Sequence, residues 1–286
     1  MIDLDKVKDY KVLVIGHAIF DEYFHVTTVG KSIKENAISV MFHSKERWEG
    51  GVWAAAAHTR NLCPDTTVVA GTHALLNQRF VDDFNRKLFT VHQRVELPDT
   101  AVVPQIGHYD LVIVTDFGHG FVDKQLVANL VHDAKYLVVN AQTNSTNYGF
   151  NLITKYPRAN LVVLDELEAR LATQERAAPL EYVIEVLWLE RATWRRFDQI
   201  IITKGNEGAI GFDGKNYYHA PAVAKDVLDT MGAGDAFLCA VAPFARAGFP
   251  MSELLRIGNA AGAVKVGIVG HQKSVTREAL EEVLSR

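Results

Sequence analysis

The 286-residue sequence predicts an α/β protein: a three-layer α/β/α arrangement with a mostly parallel sheet and a small β-lid. Three observations predict it. Short, uniformly apolar, β-branched runs recur along the chain, stretches of helical character separate them, and one aromatic, polar-interrupted segment breaks the alternation. Short runs that are apolar throughout suit strands covered on both faces, and helical segments between them suit crossover connections.

The strands are read from "KVLVI" at 11, "TTVVA" at 66, "LVIV" at 111, "YLVV" at 136, "LVVL" at 161 and "QIIIT" at 199. Helices are expected over 52–62, 122–134, 166–173, 180–196, 233–247, 252–266 and 276–285, the last with Thr276 as N-cap and Glu278 in its first turn. Residues 22–48 carry aromatic and β-branched side chains with polar interruptions, which suits exposed strands better than a crossover helix. They are read as a β-excursion from the sheet edge, with 87–97 as a strand that pairs with it. No linker or internal repeat divides the chain, so 1–286 is read as a single domain.

Composition excludes several functions. With 30 basic and 34 acidic residues the formal charge is -4, which leaves no electrostatic footprint for nucleic acid or an anionic membrane. No run approaches the roughly 18 apolar residues of a spanning helix, and the charged start "MIDLDKVKDY" lacks a signal core. Cys63 and Cys239 lie far apart and form no disulfide or CxxC pattern, so they are read as buried thiols. Together these features predict a cytoplasmic protein. The 11 histidines show no metal spacing, and no G-x-S-x-G elbow supports acyl chemistry.

The chemistry concentrates in "DTMGAGDAF", Asp229 to Phe237. Its glycines come just before an apolar helical run, where unpaired backbone N–H groups and the positive end of the helix dipole favour an anion. Asp235 falls in the first helical turn. There it either complements the dipole or accepts the proton of an attacking hydroxyl beside a phosphate, and position alone leaves both open. The dinucleotide fingerprint fails, because its third glycine would fall at Phe237, and no G-x-x-x-x-G-K-[ST] occurs anywhere.

Asp229-Thr230-Met231-Gly232-Ala233-Gly234-Asp235 resembles the C-terminal signature of the PfkB, or ribokinase-like, family of carbohydrate and nucleoside kinases. The likeness extends through "KVLVIGHAIFDEY", "WEGGVWAAAAHTRNL" and "IITKGNEGAIGF". Within the family it runs toward the heptose-phosphate kinase domain of bifunctional ADP-heptose synthesis enzymes, through "GHAIFDEY" and "LVIVTDFGHGFV". The resemblance implies an ATP-dependent kinase using Mg²⁺, with Asp235 as catalytic base and Gly232, Ala233 and Gly234 as anion hole. It implies Asp21, Gly50 and Gly51 at the sugar, and Thr203, Lys204, Gly205, Glu207, Gly208 and Asn259 at the nucleotide. Asp165 and Glu168 match the N-x-x-E motif of the magnesium environment, and Asp229 and Thr230 match positions that help hold a monovalent cation such as K⁺. The implied partners are a sugar or phosphosugar, ATP, a second copy docked through the lid, and a nucleotidyltransferase.

Three departures bear on the substrate. His17 stands where the heptose kinases often carry Asp, the usual Asn after the di-glycine is absent from Val52-Trp53-Ala54-Ala55-Ala56-Ala57, and the amide-rich "NAQTNSTNYGFN" replaces an Asp-containing segment. That last stretch is either a plain hydrogen-bonded loop or one that orders around phosphates. A nucleoside or vitamin kinase, or a non-catalytic binding module derived from the fold, are the alternatives.

Overall fold

The computed structural model describes residues 2–84, 86–97, 102–189 and 196–286. In chain order its elements are β1 (Val12–Lys31), β2 (Ile38–Gly51), α1 (Val52–Arg60), β3 (Thr66–Val81), β4 (Lys87–Glu96), β5 (Leu111–Asp116), α2 (Lys124–Asp133), β6 (Leu137–Ala141), β7 (Arg158–Asp165), α3 (Glu166–Thr173), α4 (Leu180–Leu189), β8 (Arg196–Thr203), β9 (Ala209–Phe212), β10 (Tyr217–Ala220), α5 (Ala233–Arg246), α6 (Met251–Val266) and α7 (Arg277–Leu284). The sheet runs β10-β9-β8-β7-β6-β5-β1-β3-β4, with β2 on the other side of the distal half of β1. From β3 to β8 it is parallel, and β9 and β10 close it as an antiparallel hairpin.

The strand alternation sorts side chains onto two faces. Val12, Val14, Leu111, Ile113 and Val163 pack with α1, α5, α6 and α7, while Leu13, Ile15, Val112, Val114 and Val162 pack with α2, α3 and α4. The result is the three-layer arrangement expected of runs apolar on both sides. Cys63 and Cys239 are free and buried. Among the described residues no helix is long and apolar enough to cross a membrane.

The β-extension departs from the expectation in its size and pairing. β1 pairs with β5 only from Val12 to Gly16, then continues to Lys31 between β2 and β3. β3 likewise runs on to Val81, and 87–96 pairs with this distal half of β3 rather than with 22–48. Two sheet strands therefore overrun the edge where β5 to β8 stop, and with β2 and β4 they overhang it. Another boundary moves: the helix expected over 180–196 is described only for Leu180–Leu189, 190–195 lie outside the described residues, and Arg196 already belongs to β8, opposite Arg158. Thr276 does cap α7, its Oγ1 accepting from the Ala279 N–H at 3.2 Å.

Candidate active site

The carboxyl ends of parallel strands form the usual crevice of an open α/β sheet, because the chain turns away there to enter its helices. Here β6, β7 and β8 deliver Gln142, Asp165 and Thr203 to that edge, and the start of α5 faces them. Gly232 is the N-cap of α5 with φ of 72°, a left-handed conformation that a side-chain-bearing residue adopts only with strain. The Ala233 N–H already reaches Thr230 O at 3.3 Å, whereas those of Gly234 and Asp235 have no acceptor among the described residues. A Cβ on Gly234 would meet only open space. The turn thus presents two unspent donors at the positive end of a 14-residue helix.

Asp235 is 6% exposed. Its Oδ1 accepts from Gln142 Nε2 at 2.7 Å, and among the described residues its Oδ2 receives no hydrogen bond. Burial pushes its carboxyl up to about 6, against the opposing pull of Gln142 and the Lys265 ammonium. A carboxylate of that basicity is a competent proton acceptor near neutral pH. Nothing in the sequence marked Gln142, which lies 93 positions earlier within the amide-rich segment.

The other amides of that segment turn inward. Asn144 and Asn147 donate to Phe117 O at 2.8 and 2.7 Å, and Asn151 donates to Asp116 O at 2.7 Å. Asp116 is itself wholly buried, paired with Lys155 and accepting from Tyr156 OH at 2.7 Å. The local hydrogen-bonded loop is therefore what most of "NAQTNSTNYGFN" builds, and Gln142 is its one side chain on Asp235. His17 has a similar explanation: its Nε2 accepts from the Phe121 N–H at 2.9 Å, and burial lowers the imidazole to about 4, keeping it the neutral acceptor that this bond needs.

On the opposite side of the crevice, Asp21 lies at the start of the β-extension, 2% exposed. Its Oδ1 accepts from Asn77 Nδ2 at 3.1 Å and from Arg79 Nε and Nη2 at 2.9 and 2.8 Å. Oδ2 faces Gly50, where an added Cβ would stand 2.8 Å from it and 3.0 Å from His271 Nε2. Gly51 answers a different demand: with φ of 59°, its Cβ would lie 2.4 Å from His17 O, so the backbone of β1 rather than a ligand excludes a side chain. Val52, Ala55 and Ala56 are buried in the core as α1 packs on α5, whereas Trp53, Ala54 and Ala57 line a cavity of about 370 Å³ and offer it no amide. His271, 3.7 Å from Asp21 and 3.0 Å from a Cβ on Gly232, joins the two sides. A cavity of about 580 Å³ opens beside them under the extension, lined by Tyr23, Trp48, Lys87, Asp229 and Thr230 among others; Asp235 is not in its wall.

The predicted nucleotide residues form a second group. Thr203 ends β8 opposite Asp165 of β7, Lys204 leads into the turn Gly205–Glu207, and its N–H donates to Gly208 O at 2.7 Å. Gly208 has φ of 92°, and a Cβ there would collide with Ala220 O at 2.1 Å. Asn259 of α6 donates to Ala220 O and Pro221 O at 3.1 and 2.8 Å, pinning the segment after β10. The two groups connect through Gln142 and Thr143: the Thr143 N–H donates to Glu168 Oε1 at 3.0 Å.

Asp165 and Glu168 form a reciprocal capping box on α3, Asp165 Oδ1 accepting from the Glu168 N–H at 2.7 Å and Glu168 Oε2 from the Asp165 N–H at 2.9 Å. Burial and the neighbouring Asp165 carboxylate push Glu168 up to about 8. Glu168 is thus committed to backbone, while Asp165 remains exposed at the crevice. A magnesium ion held chiefly by substrate phosphates needs one or two protein carboxylates; Asp165 is open to supply one, while Glu168, turned to the helix cap, supports it.

A separate monovalent cation does not fit at Asp229 and Thr230. Asp229 Oδ1 accepts from the Met231 N–H at 3.1 Å and Oδ2 from the Gly270 N–H at 2.9 Å. Burial opposes its charge, but these two donors together with the Lys87 and Lys265 ammonium groups hold the carboxyl below the ordinary range. The nearby Gly270 and Ile268 carbonyl oxygens already receive the Lys265 ammonium, at 2.7 and 3.5 Å.

Comparison with known proteins follows the same lines. Residues 125–278 match the profile described as pfkB family carbohydrate kinase. The bifunctional protein HldE of Helicobacter hepaticus is 26% identical over 195 residues, covering 68% of this chain and 39% of that protein. The D-beta-D-heptose 7-phosphate kinase of Bordetella bronchiseptica is 28% identical over 178 residues, covering 59% of this chain and 52% of that one. The chain therefore spans about half or less of the curated relatives it matches. The Arabidopsis thaliana ribokinase complexed with ribose and ATP superposes with a TM-score of 0.73 over 97% of this chain and 99% of that chain; at 14% identity the likeness is one of fold.

Proposed function

Because the chain belongs to the pfkB family of carbohydrate kinases, we propose that it transfers a phosphoryl group from ATP to a hydroxyl of a sugar or phosphosugar. The observation that carries this reading is Asp235, a buried carboxyl raised to about 6, set one residue after Gly234 where two helix N–H groups stand unspent. In phosphoryl transfer the protein positions the reactants and steadies charge. Asp235 accepts the hydroxyl proton on its free Oδ2 while Gln142 holds Oδ1. The Gly234 and Asp235 N–H groups face the moving phosphoryl, and Gly232 provides the left-handed turn that aims them. Ala233 serves the turn itself, through its bond to Thr230.

The sugar side consists of Asp21 Oδ2, for which the missing side chain of Gly50 makes room, with the β-extension closing over the acceptor to exclude water. Thr203, Lys204, Gly205, Glu207 and Gly208 border the nucleotide, and Asn259 fixes the segment beside it. Asp165, supported by Glu168, is the acid for the magnesium of the nucleotide, an ion that neutralises phosphate charge when bound. A second copy docked on the extension, and association with a nucleotidyltransferase, complete the proposal; the latter is supported by the likeness to heptose-phosphate kinase domains of bifunctional enzymes.

ADP release measured across phosphosugars, free sugars and nucleosides tests this. Turnover on a sugar or phosphosugar that is lost in Asp235→Asn, with ATP-induced thermal stabilisation kept, is the expected result. Turnover on a nucleoside alone reassigns the substrate class. Ligand-induced stabilisation without ADP on any acceptor identifies a binding module instead, and undiminished turnover in Asp235→Asn removes that residue as base.

A further inference from the structure

Lys265 is 0% exposed, an uncommon place for a lysine, since a buried ammonium must recover its lost hydration from protein groups. It lies in the last turn of α6, and its Nζ donates to Gly270 O at 2.7 Å and Ile268 O at 3.5 Å. A lysine that merely caps its helix would do so from the surface. This one turns inward to the carbonyls of the 268–270 loop, which is itself tied to the Asp229–Gly234 turn. The same Gly270 gives its N–H to Asp229 Oδ2, Asp229 Oδ1 takes the Met231 N–H, and the next residue is the left-handed Gly232. A Cβ on Gly232 would lie 3.4 Å from Lys265 Cε, so the lysine stem lies along the turn. Opposite charges face it from Asp229 and Asp235, while two imidazoles with lowered proton affinity, His58 and His271, stand nearby.

We propose that Lys265 is a built-in cation: its ammonium takes the carbonyl-lined position beside Asp229, holds the Asp229–Gly234 turn in its phosphate-receiving shape, and replaces an exchangeable monovalent ion. The proposal rests on reading that turn as the phosphoryl-binding loop, and Lys265 acts through it as a positioning residue. A covalently tethered ammonium is always present at its site, so the protein is independent of potassium where an empty carbonyl ring is not.

The test compares wild type with Lys265→Ala, which opens room for an ion, and Lys265→Met, which fills the space without charge. Each is placed in potassium chloride or tetramethylammonium chloride at equal ionic strength. Thermal unfolding is read first, because it needs no substrate. Wild type is expected to melt at the same temperature in both salts, whereas potassium raises Lys265→Ala by about 2–4 °C in a saturable way, through binding linkage. Turnover is read second. Lys265→Ala and Lys265→Met lose on the order of 100-fold in tetramethylammonium, and potassium restores the Ala variant but not the Met variant. Specific stabilisation or activation of wild type by potassium overturns the proposal, as does an Ala variant indifferent to both salts. If neither variant folds, the wild-type comparison decides. If no acceptor is phosphorylated even by wild type, the kinase reading fails while the melting data still decide the cation.

Discussion

At the scale of single residues, Asp235 sets function against stability. A carboxyl whose folded proton affinity exceeds its ordinary value contributes most to stability while protonated, and that contribution disappears as pH rises through the folded value. For Asp235, moved from 3.8 to about 6, the loss develops between those two values and is complete at pH 8. Asp235→Asn keeps an oxygen acceptor for Gln142 and never ionises. It is expected to exceed wild type in stability by about 2–3 kcal/mol at pH 8 and to match it below pH 4, as two pKa units imply. Urea unfolding at both pH values measures this, and an equal difference at the two would mean the burial cost is not the cause. With Asp235 as the proposed base, kcat is expected to fall as pH drops below about 6, because the carboxyl is then protonated. A rate flat from pH 5 to 8 would assign proton removal elsewhere.

Among the secondary-structure elements, α3 separates a structural role from a metal role. Asp165 caps the helix and is also the exposed acid proposed for magnesium. Asn caps as well as Asp, while Ala loses typically about 1 kcal/mol. Asp165→Asn is therefore expected to keep full stability yet need more magnesium for half-maximal turnover, and Asp165→Ala to lose both. Equal magnesium dependence in wild type and Asp165→Asn would leave the residue a cap and nothing more. Elements also mark how far the sequence could be read. β5, β7 and β8 were legible because strands buried on both faces must be apolar throughout, and "DTMGAGD" because its glycines and acid sit in one local turn. The distal half of β3 was not legible: Asn77, Gln78 and Arg79 in succession look like a loop, and only pairing with β1 and β4 makes them strand. Gln142, Arg79, His271 and Lys265 were missed for a related reason. Each meets its partner only after the sheet assembles, and a lysine near a helix C-terminus ordinarily reaches solvent.

For the whole molecule, the four strands of the extension raise the question of what covers them. Phe24, Phe80 and Phe89 stack with centroids 4.8 and 4.5 Å apart, and Phe42 leans on Phe24 at 6.2 Å. Their outer surface stays exposed: Phe42 is 58% accessible, and Ile38 and Val91 are also open. β2 pairs only with β1 among the described residues, so its other edge presents unsatisfied backbone groups next to this aromatic face. An open edge with apolar side chains is the combination that soluble proteins ordinarily protect by pairing. A second copy supplies both needs at once, since a two-fold axis sets the same edge and the same aromatic face against each other. The cavity of about 580 Å³ lies beneath the same strands, with Tyr23 and Trp48 in its wall. The dimer proposed above would therefore brace the roof of that cavity as well as hide the outer face of the extension. Light scattering is expected to give a dimer for wild type and a monomer for Phe42→Lys, whose charge falls on the exposed face without entering either main core. The monomer should keep its helical and sheet content but bind the acceptor more weakly, with KM raised more than kcat is lowered. A wild-type monomer, or a Phe42→Lys dimer with unchanged KM, would mean that the aromatic face is stabilised by its own stacking and that the extension closes over the acceptor alone.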